Sequence, residues 1–336
     1  MQTGTIMQSN RPTSFLAAIV LGLSLFFPSC GDTEARAQSS DAVVFPNGQS
    51  PSFDEERAFV DLRFLCEQIG PRRIGTKGLQ RTTTWLQEQL AELEGWTVDL
   101  DEFKAQPPAG ARRKATVDGV NVLARREGTQ PGEVWIGSHY DTYDFPNFVG
   151  ANDGGSSTVV LLELARQWAG EGKREGQSIV LAWFDGEERF PPIPWEDFTN
   201  STFGSRDLAD RLAKAETIQN ISAFILLDMI GDAKLGVLKE RSSDPQLKKI
   251  MERTAGALGD PNLFVGQRDI EDDHIHFRRH NVPTMNLIDF NFGPGNSYWH
   301  TRKDNMENVS AESLGRMGRL MMAALPAVER DFAPRD

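Results

Sequence analysis

The run Ser178–Phe184, SIVLAWF, carries no charge, and after Ser178 it has no polar residue. A half-exposed strand alternates apolar and polar side chains. A run that is apolar on both faces predicts a strand covered from both sides, as in a parallel sheet sandwiched by helices. Val134–Ile136, Ala223–Leu227 and Pro283–Ile288 are shorter runs of the same kind. Between and after them lie helix-period stretches: one beginning at Ser156 and running to Arg166, then Gly204–Ala215, Pro245–Leu258 and Ala311–Val328. Alternation of this sort predicts an α/β fold, a three-layer αβα sandwich around a central, mostly parallel mixed sheet. Upstream, helices are expected over Phe53–Ile69, with Ser52 as N-cap, and over Gly78–Leu93. Trp96–Phe103 alternates as a half-buried strand should, and Val120–Arg125 and Glu133–Gly137 complete the strand set.

Acidic and imidazole side chains follow the apolar runs. His139-Tyr140-Asp141 ends the first and Asp185-Gly186-Glu187-Glu188 the second, while Asp228 closes the third. Asp153, in Gly150-Ala151-Asn152-Asp153-Gly154-Gly155, opens a helix, and Trp299-His300 lies in the loop after the last strand. In a doubly wound sheet these positions share one rim, where ligands bind. Taken singly, Asp153 reads as an N-cap, Glu187-Glu188 as a solvated pair and His300 as a loop histidine. Solvated carboxylates are uncommon directly after a wholly apolar strand, however, and the conjunction points to a metal. Zinc takes imidazole nitrogen and carboxylate oxygen, and a catalytic zinc keeps one position open. Asp153, Glu188 and His300 are the candidate ligands, with His139 and Asp228 close by in the expected topology.

Length and charge narrow the classes. With 336 residues, residues 53–330 suffice for one large catalytic domain. A net charge of −12 and the lack of a basic cluster argue against a nucleic-acid partner. Residues 1–37 read as an export signal with its apolar run at Phe15–Phe27, and residues 38–52 as a flexible tether. Cleavage after Ala35-Arg36-Ala37 would release a secreted or periplasmic protein. Phe27-Pro28-Ser29-Cys30 resembles a lipoprotein box, and its use would place a lipid anchor on Cys30. Cys66, in a helical pattern, is expected to be a buried, unpaired thiol.

Seven segments in order are GSHYDT, GANDGGSSTVVLLELAR, WFDGEERF, FGSRDLA, LLDMIG, IEDDHIHFRRHNVPTMNLI and WHTRKDNMENVS. Together they resemble the zinc-dependent glutaminyl-peptide cyclotransferases of the animal type, from the clan of the two-zinc aminopeptidases. The resemblance spans Phe53 to Val328 and implies a zinc exopeptidase-like fold. It also implies conversion of the N-terminal glutamine of a peptide to pyroglutamate with loss of ammonia. A monomer acting on peptides or proteins with a free N-terminus is expected. Asp153, Glu188 and His300 then correspond to the ligands of a single zinc, and Glu187 to the general acid/base. Asp228 and Asp272 correspond to carboxylates beside the reacting amide, Trp299 and Trp195 to the aromatic wall, and Phe292 to a pocket residue. Glu271 stands where the family carries glutamine, a departure that would change the hydrogen-bond network or favour an amine-rich substrate. The alternative within the clan is an aminopeptidase with two zinc ions, the second held by His139 and Asp228. His276 and His280, beside Arg278 and Arg279, are expected on a solvated or carboxylate-paired face.

Overall fold

The computed structural model describes residue 45, residues 49–193 and residues 198–334. A six-stranded sheet runs in the order β1-β2-β4-β3-β5-β8. Its strands are β1 (Trp96–Ala105), β2 (Val117–Arg126), β3 (Glu133–His139), β4 (Ser178–Phe184), β5 (Ile221–Asp228) and β8 (Thr284–Ile288). The pairs β3/β4, β3/β5 and β5/β8 are parallel; β1/β2 and β2/β4 are antiparallel.

All seven residues of β4 are buried, as an apolar run in the middle of a sheet requires. Ile179, Leu181 and Trp183 face one layer, and Val180, Ala182 and Phe184 face the other. The first layer holds α1 (Glu55–Phe64), α2 (Lys77–Ala91), α3 (Ser157–Gln167), α5 (Pro245–Ala257) and α7 (Ala311–Asp331). The opposite layer holds α4 (Phe203–Lys214) and the short α6 (His274–Arg278), whose Phe277 packs on Phe184 and Phe224. The chain passes from β3 through α3 to β4 on one side of β3, then through α4 to β5 on the other. The crevice at the carboxyl ends of β3, β4 and β5 is therefore the switch point of the sheet.

Local chemistry shifts several expected boundaries. Helix α1 begins at Glu55 because the Asp54 carboxylate, rather than Ser52, accepts the Arg57 N–H (2.9 Å). It ends in a π-turn at Leu65–Ile69. Thr76 caps α2. The alternation in β1 fails at Leu100, which is 41% exposed, as an edge strand permits. A second, two-stranded parallel sheet, β6 (Val237–Glu240) with β7 (Phe264–Arg268), was not expected from the sequence. Cys66 is a free, buried thiol whose pKa burial pushes up to about 12. Among the described residues no helix is long and apolar enough to cross a membrane.

Candidate metal centre and active site

Three strand ends and two loops build the site. Strand β3 delivers His139, and the chain returns through a turn at Ala151–Ser156 that presents Asp153. Gly154 in this turn has φ +80°, and a Cβ there would lie 2.7 Å from the Asp141 carbonyl oxygen and 2.9 Å from His139 Cε1. Only glycine fits a left-handed residue pressed so closely against the histidine. The buried Asp304 carboxylate fixes the same turn by accepting the N–H groups of Asn152 (2.6 Å) and Asp153 (3.0 Å).

Beyond β4, Asp185 accepts the Val120 N–H (3.0 Å), and the start of α4 is tied to the loop by Thr202 N to Glu187 O and Phe203 N to Gly186 O. Asp141 accepts the N–H groups of Glu187 (3.2 Å) and Glu188 (3.3 Å) and lies 3.5 Å from His139 Nδ1. One carboxylate thus aligns the acidic pair and the histidine. His300, at φ +53°, is stacked between Tyr143 and Trp299, each at 4.1 Å.

Two groups of potential ligands result, Asp153–Glu188–His300 and His139–Asp153–Asp228. His300 Nε2 lies 3.2 Å from Asp153 Oδ2 and 3.3 Å from Glu188 Oε2. His139 Nε2 lies 3.2 Å from Asp153 Oδ1 and 3.2 Å from Asp228 Oδ1. Tetrahedral zinc with bonds near 2.0–2.1 Å separates its ligand atoms by about 3.3 Å, so both groups have the spacing of a zinc polyhedron. Asp153 Oδ2 and both Glu188 oxygens are buried and accept no hydrogen bond, as suits atoms placed for a cation. The residues fit a metal.

A pocket of about 440 Å³ opens over this centre, lined by Asp153, Glu187, Asp228, Asp272, Trp299 and His300 inside and by Arg268, Glu271 and Phe290 further out. Burial pushes the Glu187 carboxyl well above its ordinary value, and Glu188, Asp272 and Asp273 add to this against the pull of His139. Asp272 is raised in the same way by burial and then by Asp228 and Asp273. It is held by Asn286 Nδ2 at 2.8 Å and by its neighbour's N–H at 2.6 Å.

The structure thus brings Glu187, Asp228, Asp272, Glu271 and Trp299 into one pocket with the ligand groups. Phe292 does not line it. That ring is fully buried against Met229, Leu238 and Ile288, and Phe290 takes the wall position, edge-on to Trp299 at 4.9 Å. Trp195 lies outside the described residues. His276 is buried and hydrogen-bonds Thr202 Oγ1 (2.7 Å) instead of facing solvent, whereas His280 pairs with Asp210 at 3.5 Å. The roles of Asp141 and Asp304 were not drawn from the sequence, although both lie inside quoted segments, GSHYDT and WHTRKDNMENVS. Tyr143 left no signal.

A three-layer α/β sandwich with a carboxylate–imidazole metal centre at its switch point defines a metallo-exopeptidase-type protein. The chain matches Peptidase family M28 over residues 121–325 and belongs to that family. It is 29% identical over 287 residues, 74% of each chain, to a glutaminyl-peptide cyclotransferase of Bothrops jararaca. It is 27% identical over 345 residues to that of Dictyostelium discoideum, covering 88% of this chain and 93% of the relative. Among solved structures, a glutaminyl cyclase of an Acidobacteriales bacterium superposes with a TM-score of 0.76 at 28% identity, covering 85% of this chain and 99% of the other.

Proposed function

We infer that this chain is a zinc-dependent glutaminyl-peptide cyclotransferase, converting the N-terminal glutamine of a peptide to pyroglutamate with release of ammonia. The observation that carries the reading is the convergence, at one site, of a buried carboxyl whose pKa burial raises, a zinc-spaced ligand set and an aromatic wall. Asp153, Glu188 and His300 would hold a zinc ion, which would supply Lewis-acid polarisation of the side-chain carbonyl. Glu187 takes the proton from the attacking α-amine and returns it to the departing nitrogen, a role that the upward push of burial on its pKa favours. The bond from the α-nitrogen to the glutamine Cδ forms, the Cδ–NH2 bond breaks, and ammonia leaves. Asp228 and Asp272 accept hydrogen bonds from the amide nitrogen, and Asn286 keeps Asp272 in place. Trp299, braced by Phe290, walls the glutamine side chain.

The test is mass spectrometry of a peptide beginning Gln-Phe after incubation with protein lacking residues 1–37. Loss of one ammonia is expected, and none with His300→Ala. Glu187→Gln abolishes turnover and retains zinc.

One observation favours a second reading, an aminopeptidase: His139 and Asp228 complete a second ligand group that shares Asp153. Release of free glutamine, with two zinc ions per chain needed for full activity, would establish it over the cyclase. We further propose that the chain is an exported monomer acting on peptides or proteins with a free N-terminus. Mass spectrometry of the mature N-terminus separates a chain starting at Gln38 from one lipidated at Cys30.

A further inference from the structure

The reaction pocket has a neighbour. A groove of about 760 Å³ runs along α6, lined by Ser242, Asp244, Ile275, Arg278 and Pro283 among others, and Glu271 lines both it and the reaction pocket. Glu271 is the wall between them. It precedes Asp272, the carboxylate assigned to the amide nitrogen, so it sits one residue outward from the chemistry.

The acidic groups around it are engaged, and Arg268, Arg278 and Arg279 share its two linings. Asp269 pairs with Arg241 at 2.6 Å. The Arg268 guanidinium lies over the Phe290 ring at 4.6 Å. The Asp244 carboxylate caps α5 through the N–H groups of Gln246 (2.7 Å) and Leu247 (3.0 Å). Among the described residues no cation pairs with Glu271, which is exposed to the groove.

A glutamine side chain directed at Asp153, Glu187 and His300 leaves its main chain at the pocket mouth. Glu271 is among the groups within reach of the next side chain there. We propose that Glu271 is a specificity-determining residue that selects peptides with lysine or arginine immediately after the N-terminal glutamine. The inference rests on the cyclisation reading. A solvated ion pair of this kind is worth a factor of about two to five, and repulsion of an acidic side chain is of similar size. Lysine over glutamate at the second position therefore amounts to about tenfold in kcat/KM, carried by KM. It shrinks as salt screens the pair.

The experiment compares Gln-Lys and Gln-Glu dipeptide amides on the zinc-loaded full-length enzyme and its Glu271→Gln and Glu271→Lys variants. Calorimetric binding of the same peptides to Glu187→Gln protein is a readout without turnover. The expected result is a Lys-over-Glu ratio of about ten in the wild type, near one in Glu271→Gln and inverted in Glu271→Lys, with the same ordering in binding. Equal ammonia release from the two peptides in the wild type, or a ratio untouched by both substitutions, overturns the inference and leaves the cyclase reading intact. Ammonia release from neither peptide in the wild type overturns both.

Discussion

Asp304 touches no substrate, yet the geometry makes the metal centre depend on it. Its carboxylate is fully buried and accepts two backbone N–H groups, one of them from the candidate ligand Asp153 itself. Burial raises its pKa to about 7, with the Asp153 charge adding to this and Arg72 and the two N–H groups opposing it. In Asp304→Asn the side chain keeps one oxygen, so one N–H is left facing an amide nitrogen. A buried donor without a partner costs about 1–3 kcal/mol. The loss falls on the turn that presents Asp153, and partners of this kind behind a ligand typically govern 10- to 100-fold in metal affinity. Asp289→Asn is the matched control: its buried carboxylate likewise accepts two N–H groups, from Gly236 (2.8 Å) and Asn291 (3.0 Å). Urea unfolding of the metal-free proteins and zinc competition against a chromophoric chelator are the assays. Both variants are expected to lose about 1–3 kcal/mol of stability, and only Asp304→Asn to lose zinc affinity. Wild-type zinc affinity in Asp304→Asn, or an equal loss in Asp289→Asn, would falsify the reasoning.

Phe290→Ala removes the edge-on support of Trp299 (4.9 Å), a contact worth about 0.5–1.5 kcal/mol. KM for a Gln-Phe peptide is expected to rise about three- to tenfold with kcat less affected, and the opposite split would remove the aromatic wall from the account. Gly154→Ala places a Cβ 2.9 Å from His139 Cε1 at φ +80° and is expected to destabilise the protein by about 2 kcal/mol or more and to weaken zinc binding. Unchanged unfolding and zinc titration would show that the turn yields freely. Burial, with Arg206 and Arg279, lowers the His276 pKa to about 3. As pH falls below about 6.5 the unfolded chain takes up a proton that the folded chain refuses until about 3, so stability drops through that window by up to about 5 kcal/mol. The pH dependence of urea unfolding is expected to flatten in His276→Gln; an unaltered profile between pH 6.5 and 4 would assign the acid sensitivity elsewhere.

The sheet was legible where burial on both faces suppresses polar residues. Strands β4 and β5 stand out because every position from Ala223 to Asp228, and all of β4, is buried. Strands β6 and β7 were illegible for the opposite reason. One has four residues, and the other, FVGQR, leaves four of its five exposed, so neither carries a period. The aromatic loop misled by register. Gly293, at φ +68°, packs under Tyr298, which meets Phe292 edge-on at 5.5 Å and leaves that ring in the core, while Arg268 and Trp299 hold Phe290 at the wall. Loop geometry of this kind has no sequence period to betray it.

Within the site, the candidate ligands were easier to single out than their supports. Asp153, Glu188 and His300 announce themselves because acidic and imidazole groups beside apolar strands need a reason to be there. Arg72 shows why the supports hide. Nothing in the loop sequence Gly70-Pro71-Arg72-Arg73 marks it out, yet it is fully buried. Its guanidinium donates to the carbonyls of Tyr140 (3.1 Å), Val149 (2.8 Å) and Gly150 (2.9 Å). These carbonyls stand at the two ends of the loop that leaves β3 after His139 and returns to the Asp153 turn. A planar fork of five donors can gather carbonyls from both ends of a loop at once, and a lysine ammonium cannot do so with the same geometry. The separation between His139 and Asp153 is thus set by a side chain more than sixty residues upstream, and no local pattern in either segment could disclose it.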